Sequence, residues 1–281
     1  MITFETPPLN VNLTTLAAVK TELLVSGSSH DDFLTSLIEQ ASESICSICM
    51  RRFERVEVTE TLAGTGDYLA SVSRIPVASL VSASLDGEDQ TLDGISIYEP
   101  VFGQLYRESG WNDTRPRSRP WAGAKLWSLR YWAGYLLPGD DVVASTISVA
   151  ASDDSYNDTG SGFPLLVAGD LILALDFTES ANNGYKVVAS ATRSKIIVTT
   201  ELTTEAADDD PRTLAVRTLP RSIERACIDL VRAGYAARDR DPTLVSKSID
   251  DVSATYRTGS DAASLIDARD PRLAPYVRLV P

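Results

Sequence analysis

Trp132–Asp141 reads WAGYLLPGDD, and Thr218–Ala226 reads TLPRSIERA. Both carry Leu-Pro, where a strand or loop can hand over to a helix, because proline is tolerated in a helix's first turn and disfavours helix just before it. Only the second keeps that promise. Ile223, Ala226, Cys227, Leu230, Val231, Gly234 and Tyr235 fall three and four apart, and Pro242 follows soon after the pattern ends. After the first, Gly139 onward gives DDVVASTISVA, FPLLVAGDLILAL, NNGYKVVAS and SKIIVTTEL, apolar and β-branched runs that predict strands, with Asn183-Gly184 predicting a tight hairpin turn. Gly139–Thr218 holds 13 acidic and 5 basic residues, a net of −8; taken from −13 for the whole chain, that leaves −5 elsewhere. The change in texture and charge predicts a separate β-module between the two Leu-Pro sites.

Upstream, Asn12–Val25 carries Leu16, Val19 and Leu23 at helical spacing, with Asn12 or Thr14 as the cap. After the loop SGSSH, Asp31–Arg52 is a stronger amphipathic helix, with Leu34, Ile38, Ala41, Ile45 and Cys49 among its apolar positions and acids in its first turn. From Arg55 to Tyr135 short strands alternate with turns such as GTGD (Gly64–Asp67) and DGED (Asp86–Asp89). Ala124–Tyr135 predicts a long strand, with Ser128 and Arg130 on one face and Trp127, Leu129 and Tyr131 on the other. The tail predicts a strand over SIDDVSATYR and ends in the short segment DPRLAPYVRLVP.

The 281 residues suffice for two ordinary domains with real cores. Hydrophobic residues at 43% and charged residues at 23% argue against wholesale disorder. A net charge of −13 argues against a protein whose main task is to grip nucleic-acid backbone, since that grip comes from Lys and Arg on phosphates. An acidic wall that lets DNA slide past is compatible with it. The N-terminal MITFETPPLN has no signal-peptide pattern, and Arg130, Asp170 and Asp176 interrupt the most apolar stretches, so the chain reads as soluble and not exported. Its 3 cysteines suit a reducing compartment.

Catalytic patterns are missing. His30 is the 1 histidine, in a Gly-Ser loop, and no G-x-S-x-G elbow accompanies it. Cys46 and Cys49 form C-x-x-C inside a helical stripe; zinc would need Cys227 and His30 as well, so these are read as helix-face thiols. Asp153, Asp154, Asn157 and Asp158 offer oxygens but lack EF-hand spacing, and are read, like Asp208–Asp210, as solvated acidic loops. Arg107, Trp111, Arg115, Arg117, Arg119, Trp121, Lys125, Trp127 and Arg130 interleave base and ring. That pattern could stack a nucleic-acid strand, but in so acidic a chain the tryptophans are read as packing residues.

Taken in order, these segments resemble the head-tail connector, or adaptor, proteins of tailed bacteriophages. The resemblance rests on TLAAVKTELLV, the acidic loop SSHDD and LTSLIEQASESICSICMRRF over Thr15–Phe53, then IPVASLVSASLDG at Ile75–Gly87 and the Y-x-A-G-Y strand at Tyr131–Tyr135. It continues with IERACIDLVRAGYAARD at Ile223–Asp239, SIDDVSATYR and the final LAPYVR. In that family the Y-x-A-G-Y strand runs almost directly into the Leu-Pro helix. Here Gly139–Thr218 intervenes, which accounts for the Leu-Pro that leads nowhere: insertions are tolerated at exposed junctions whose ends lie close together.

The resemblance implies an α+β protein: a small helical bundle with β-hairpin and strand segments as connector core, plus an inserted all-β domain. The expected division is 1–138 and 219–281 for the core and 139–218 for the insert. It implies a virion structural protein, not an enzyme, with no cofactor and no metal. It would be made in the host cytoplasm and sit at the head-tail junction as a dodecameric ring under the portal protein. Expected partners are the portal, neighbouring copies in the ring, a stopper or tail protein, and passing genomic DNA without sequence-specific binding; no membrane is involved. The carboxy-terminal Leu273, Pro275, Tyr276 and Val277 are the expected portal contacts, being apolar and aromatic and lying too far past the last strand to build a core. Two other classes stay open: another virion structural protein, such as a tail-completion factor, and an enzyme or metal protein whose site carries no recognisable motif.

Overall fold

The structure, a computed structural model, describes residues 2–5, 8, 10–111, 126–160, 162–216, 218–238, 246–249, 252–255 and 270–278. It is α+β and mostly β, with three helices and several antiparallel sheets among the described residues. Two compact units emerge, one from Met1–Leu9, Glu54–Leu136 and Asp140–Arg217, the other from Asn10–Phe53, Leu137–Gly139 and Thr218–Pro281.

The first unit holds strands β1 (Ile2–Phe4), β2 (Val56–Ala63), β3 (Leu69–Ser71), β4 (Val77–Leu85), β5 (Glu88–Gln90), β6 (Ile95–Glu99), β7 (Gln104–Arg107) and β8 (Leu126–Ala133). It continues with β9 (Val142–Ala144), β10 (Ile147–Ala150), β11 (Ser155–Asp158), β12 (Leu171–Leu175), β13 (Gly184–Ala191), β14 (Lys195–Val198) and β15 (Arg212–Ala215). A five-stranded sheet has the order β1-β2-β8-β4-β5, and a three-stranded sheet the order β3-β7-β6. Strand β8 keeps the expected alternation, burying Trp127, Leu129, Tyr131 and Ala133. They join Val58 and Leu105 in one apolar cluster.

Every strand of the seven-stranded sheet lies between Val142 and Ala215, in the order β10-β11-β14-β13-β12-β15-β9. Its core gathers Ile147, Tyr156, Phe163, Ile172, Val188 and Leu214. The first and last strands of this stretch are neighbours, Val142 opposite Leu214 and Ala144 opposite Arg212. Asn183-Gly184 is not a two-residue hairpin. Ala174 pairs with Gly184, so β12 and β13 are joined by the longer loop 176–183. In that loop Asn183 replaces a tight turn by bonding the Phe177 backbone at both its N–H (3.1 Å) and its C=O (2.7 Å).

The second unit holds α1 (Leu16–Leu23), α2 (Asp31–Cys49) and α3 (Arg221–Ala237), which pack on one another. Helix α1 starts later than expected: Thr15, not Asn12 or Thr14, is the cap, its hydroxyl accepting from the Ala18 N–H at 3.2 Å. Thr14 is buried, and the Asn12 backbone N–H donates to Asn10 Oδ1 at 2.9 Å. Helix α2 stops at Cys49 because Met50 turns left-handed (φ 49°) and closes the end through its N–H on Ser47 C=O. Its face buries Leu34, Ile38, Ala41, Ile45 and Cys49; α3 contributes Ile223, Ala226, Cys227 and Val231. Leu37 and Leu230 are half-buried at the margin of these faces. The tail run expected as one strand is a hairpin of β16 (Ser246–Ile249) and β17 (Val252–Thr255), with Ile249 opposite Val252. The residues between are Asp250-Asp251, types that favour turns over strand interiors.

Candidate partner-binding segment

Asp270 opens the carboxy-terminal segment by folding it into a turn: its C=O accepts from Leu273 N–H (2.9 Å) and Ala274 N–H (2.8 Å), and its carboxylate from Arg272 N–H (2.9 Å). A single 3-10 turn follows over Ala274–Tyr276. The Arg272 guanidinium bonds Asp270 (2.8 Å) and Asp229 of α3 (2.6 Å). Hydrogen bonding to Arg272 holds the Asp270 carboxyl below its ordinary range, against a smaller opposing effect of burial. The network runs on, since Asp229 also meets Arg225 (3.1 Å), which reaches Glu22 of α1 (2.8 Å). At the far end the Arg278 N–H donates to Cys49 C=O (2.9 Å), one of the carbonyls left over at the end of α2.

This corrects the expectation that the segment builds no core. Leu273 is 0% exposed and belongs to the interior of the second unit. Tyr276 and Val277 are half-buried, while Pro275 is exposed. The four expected contact residues thus divide into an anchor, Leu273, and a displayed turn. Spacing along α3 made Arg225 and Asp229 legible as an i,i+4 pair. Arg272, more than forty residues on in sequence, left no such local signal.

The other candidate residues have structural partners. Trp111 and Trp127 are buried, edge to face at 5.1 Å, with the Arg107 guanidinium 4.7 Å above the Trp127 ring. The GTGD turn clasps Trp111 through the Trp111 N–H to Asp67 C=O (2.8 Å). Arg130 pairs with Glu57 (2.7 Å); Arg115, Arg117, Arg119, Trp121 and Lys125 lie outside the described residues. His30 precedes α2 without capping it and meets the Tyr235 ring edge-on at 5.8 Å. Cys46, Cys49 and Cys227 are buried and not joined in a disulfide. Burial pushes Cys49 up to about 11 and Cys227 up to about 12, which keeps both protonated and poor as ligands or nucleophiles.

No family model and no curated protein matches the chain. Among solved structures it is similar to a chain of "Neck of empty GTA particle computed with C6 symmetry", at 14% identity over 48% of this chain and 71% of that one, with a TM-score of 0.35.

The acidic loops are likewise engaged by the chain's own donors. Asp153 pairs with Lys195 and accepts from Ser155 (2.7 Å), Asp154 accepts from Leu202 N–H (2.9 Å), and Asp158 from Thr146 (2.6 Å), Gly160 N–H and Gly162 N–H. Asp208 bonds Arg212 at 2.8 Å. Among the described residues no group of three or more His, Cys, Asp or Glu is placed to hold a metal ion. No described helix is long and apolar enough to cross a membrane. The buried Glu60 accepts from Ser73 N–H (2.8 Å) and Tyr131 O–H (2.7 Å). Burial, followed by Glu60 itself, pushes the Tyr131 phenol far up, so it stays a hydrogen-bond donor.

Proposed function

We propose that the protein is a head-tail connector of a tailed phage-like particle: a virion structural protein that forms a ring under the portal, lines the DNA channel and carries an inserted β-domain at 139–218. The observation that carries this reading is the gathering of segments far apart in sequence. Helices α1 and α2, then α3 and the turn at 270–278, meet in one compact unit. They follow the order of the segments that resemble the connector family. The helices build the bundle through which copies contact each other in the ring. Val142 and Leu214 sit side by side, and this supports an insertion that enters and leaves at one place. An acidic chain suits a channel wall, because phosphates are repelled from it and DNA is not held.

In this reading Leu273 and Arg272 fix the carboxy-terminal turn, and Pro275 and Tyr276 meet the portal. The test is assembly. Purified protein, alone and mixed with the portal protein from the same genome, is examined by native mass spectrometry and negative-stain microscopy. Rings, or a ring bound to portal, are expected, and Tyr276→Ala with Pro275→Ser should lose portal binding at an unchanged melting temperature. A monomer that neither forms rings nor binds portal would end the proposal.

A further inference from the structure

Antiparallel sheets that cover a core on one face usually turn polar residues to the other. The block β13-β12-β15-β9 does not. Ile172, Ala174, Val188 and Leu214 point into the core, all 1% exposed or less. The alternate positions form a second apolar surface on the outside. Leu171 stands opposite Val187, Leu173 lies between Tyr185 and Ala215, and Leu175 connects through Thr213 to Val143. Tyr185 is 70% exposed and Val143 63%, with Leu171, Leu175 and Val187 also exposed. No charged residue stands at any of these paired positions, in a chain that is 23% charged.

We infer that this face is a self-association surface, packing face to face on the same face of a second copy of the chain. Three arguments select a second copy. The exposed apolar side chains present about 500 Å², so two copies would cover roughly 1,000 Å² before flanking residues are added, the lower bound for a specific interface. An apolar sheet face can be covered by its like, since two sheet faces stack about 10 Å apart with interdigitating side chains. The third argument is charge. Exposed Asp176, Glu179 and Asp208–Asp210 sit at the end where β12 leaves the sheet and β15 enters it. Among the described residues the opposite end has the half-buried Asp140 and Asp141, the latter accepting from Val216 N–H at 2.9 Å, and the buried Asp170, which is paired with Arg55.

A two-fold axis perpendicular to the strands therefore places the acidic end of one copy over the lighter end of the other. The two acidic clusters are then a strand length apart, about 17 Å, beyond the roughly 8 Å over which charges act at physiological salt. What repulsion is left is screened by salt, so pairing tightens as salt rises. The contact is independent of the proposed ring: a monomer paired through this face becomes a dimer, and rings, which carry one such face per copy, join into pairs or larger multiples.

The test compares the full chain with Tyr185→Lys/Val187→Lys by native mass spectrometry and sedimentation velocity, at low and high salt and micromolar concentration. The wild type is expected at twice or a higher multiple of the variant's mass, more completely at high salt, with the same circular dichroism spectrum and a higher melting temperature, because pairing stabilises the native state. The fall in mass reads the same whether the basic species is a monomer or a ring, so failure of the connector reading leaves it intact. Should the double variant lose its circular dichroism spectrum, Val143→Lys, a change at an exposed edge position, decides by the same fall in mass. Equal masses for wild type and variants, doubling that survives both variants, or doubling that dissolves as salt rises would each overturn the inference.

Discussion

Gly134 occupies a place that other residues cannot. Its φ is +102°, and a Cβ there would lie 2.1 Å from the Glu54 carbonyl oxygen and 2.7 Å from its carbon. The strand past Ala133 has turned so that Tyr135 bridges Glu54 in parallel, and backbone comes against backbone with no side chain able to give way. Gly134→Ala is therefore expected to cost about 3 kcal/mol, read as a lower urea midpoint. The glycine of Y-x-A-G-Y was legible in the sequence as a pattern, but its reason was not, because Glu54 is eighty residues away. Glu205 is a second case. Burial raises its pKa, but the Thr178 N–H, the Asn182 amide, the Glu179 N–H and the charge of the buried Arg212 outweigh this, and the net shift is downward. A carboxylate whose pKa is lowered by folding contributes stability that is complete above its unfolded value of about 4.3 and is lost as pH falls through the lower native value. Glu205→Gln should thus melt below wild type at pH 7 and lose less on going from pH 5 to pH 3, a comparison that scanning calorimetry makes directly.

At the scale of elements, the helices were the most legible part, because a 3.6-residue apolar period shows within a single segment. Their ends were less so: Met50 turning left-handed, and Thr15 rather than a neighbour capping, are choices among near-equivalent residues. The apolar stripe of α3 was also placed correctly, but its centre falls at Val231, with Leu230 at the margin. Val231→Asp should cost ~3–5 kcal/mol by burying an unpaired carboxylate, while Leu230→Asp should cost only ~1–2 kcal/mol; chemical denaturation of the two variants ranks them. The carboxy-terminal turn was misjudged because its anchoring is entirely long-range. Leu273→Ala removes a fully buried side chain and should cost ~2–5 kcal/mol, and a truncation before Asp270 should cost at least as much. Thermal melting of both separates this anchoring from any role in partner binding.

For the molecule as a whole, β-branched texture made strands legible between Val142 and Ala215, while strand order stayed hidden. Nothing local pairs Val142 with Leu214 or sets β13 between β12 and β14. The apolar outer face of β12 was hidden too: LILAL is a continuous apolar run, and such a run does not say whether one face or both are covered. If 139–218 is an insertion, replacing Asp140–Arg217 with a short Gly-Ser linker should retain the helical circular dichroism of the full chain, because closing a short flexible loop costs little beside a core. The linker protein should still melt at a lower temperature, since Arg55, buried against Asp170, and Leu136, packed in the core of the seven-stranded sheet, both lose their surroundings.

The pairing of β9 with β15 also fixes how the protein responds to force. The chain enters this β-region beside the point where it leaves, and the bonds between those strands lie perpendicular to them. A pull that separates the two entry points loads these bonds one after another, as in a zipper opened from its tab, instead of shearing all of them together. Tension across its root therefore opens the β-region from β9 and β15 inward, one pair of residues at a time.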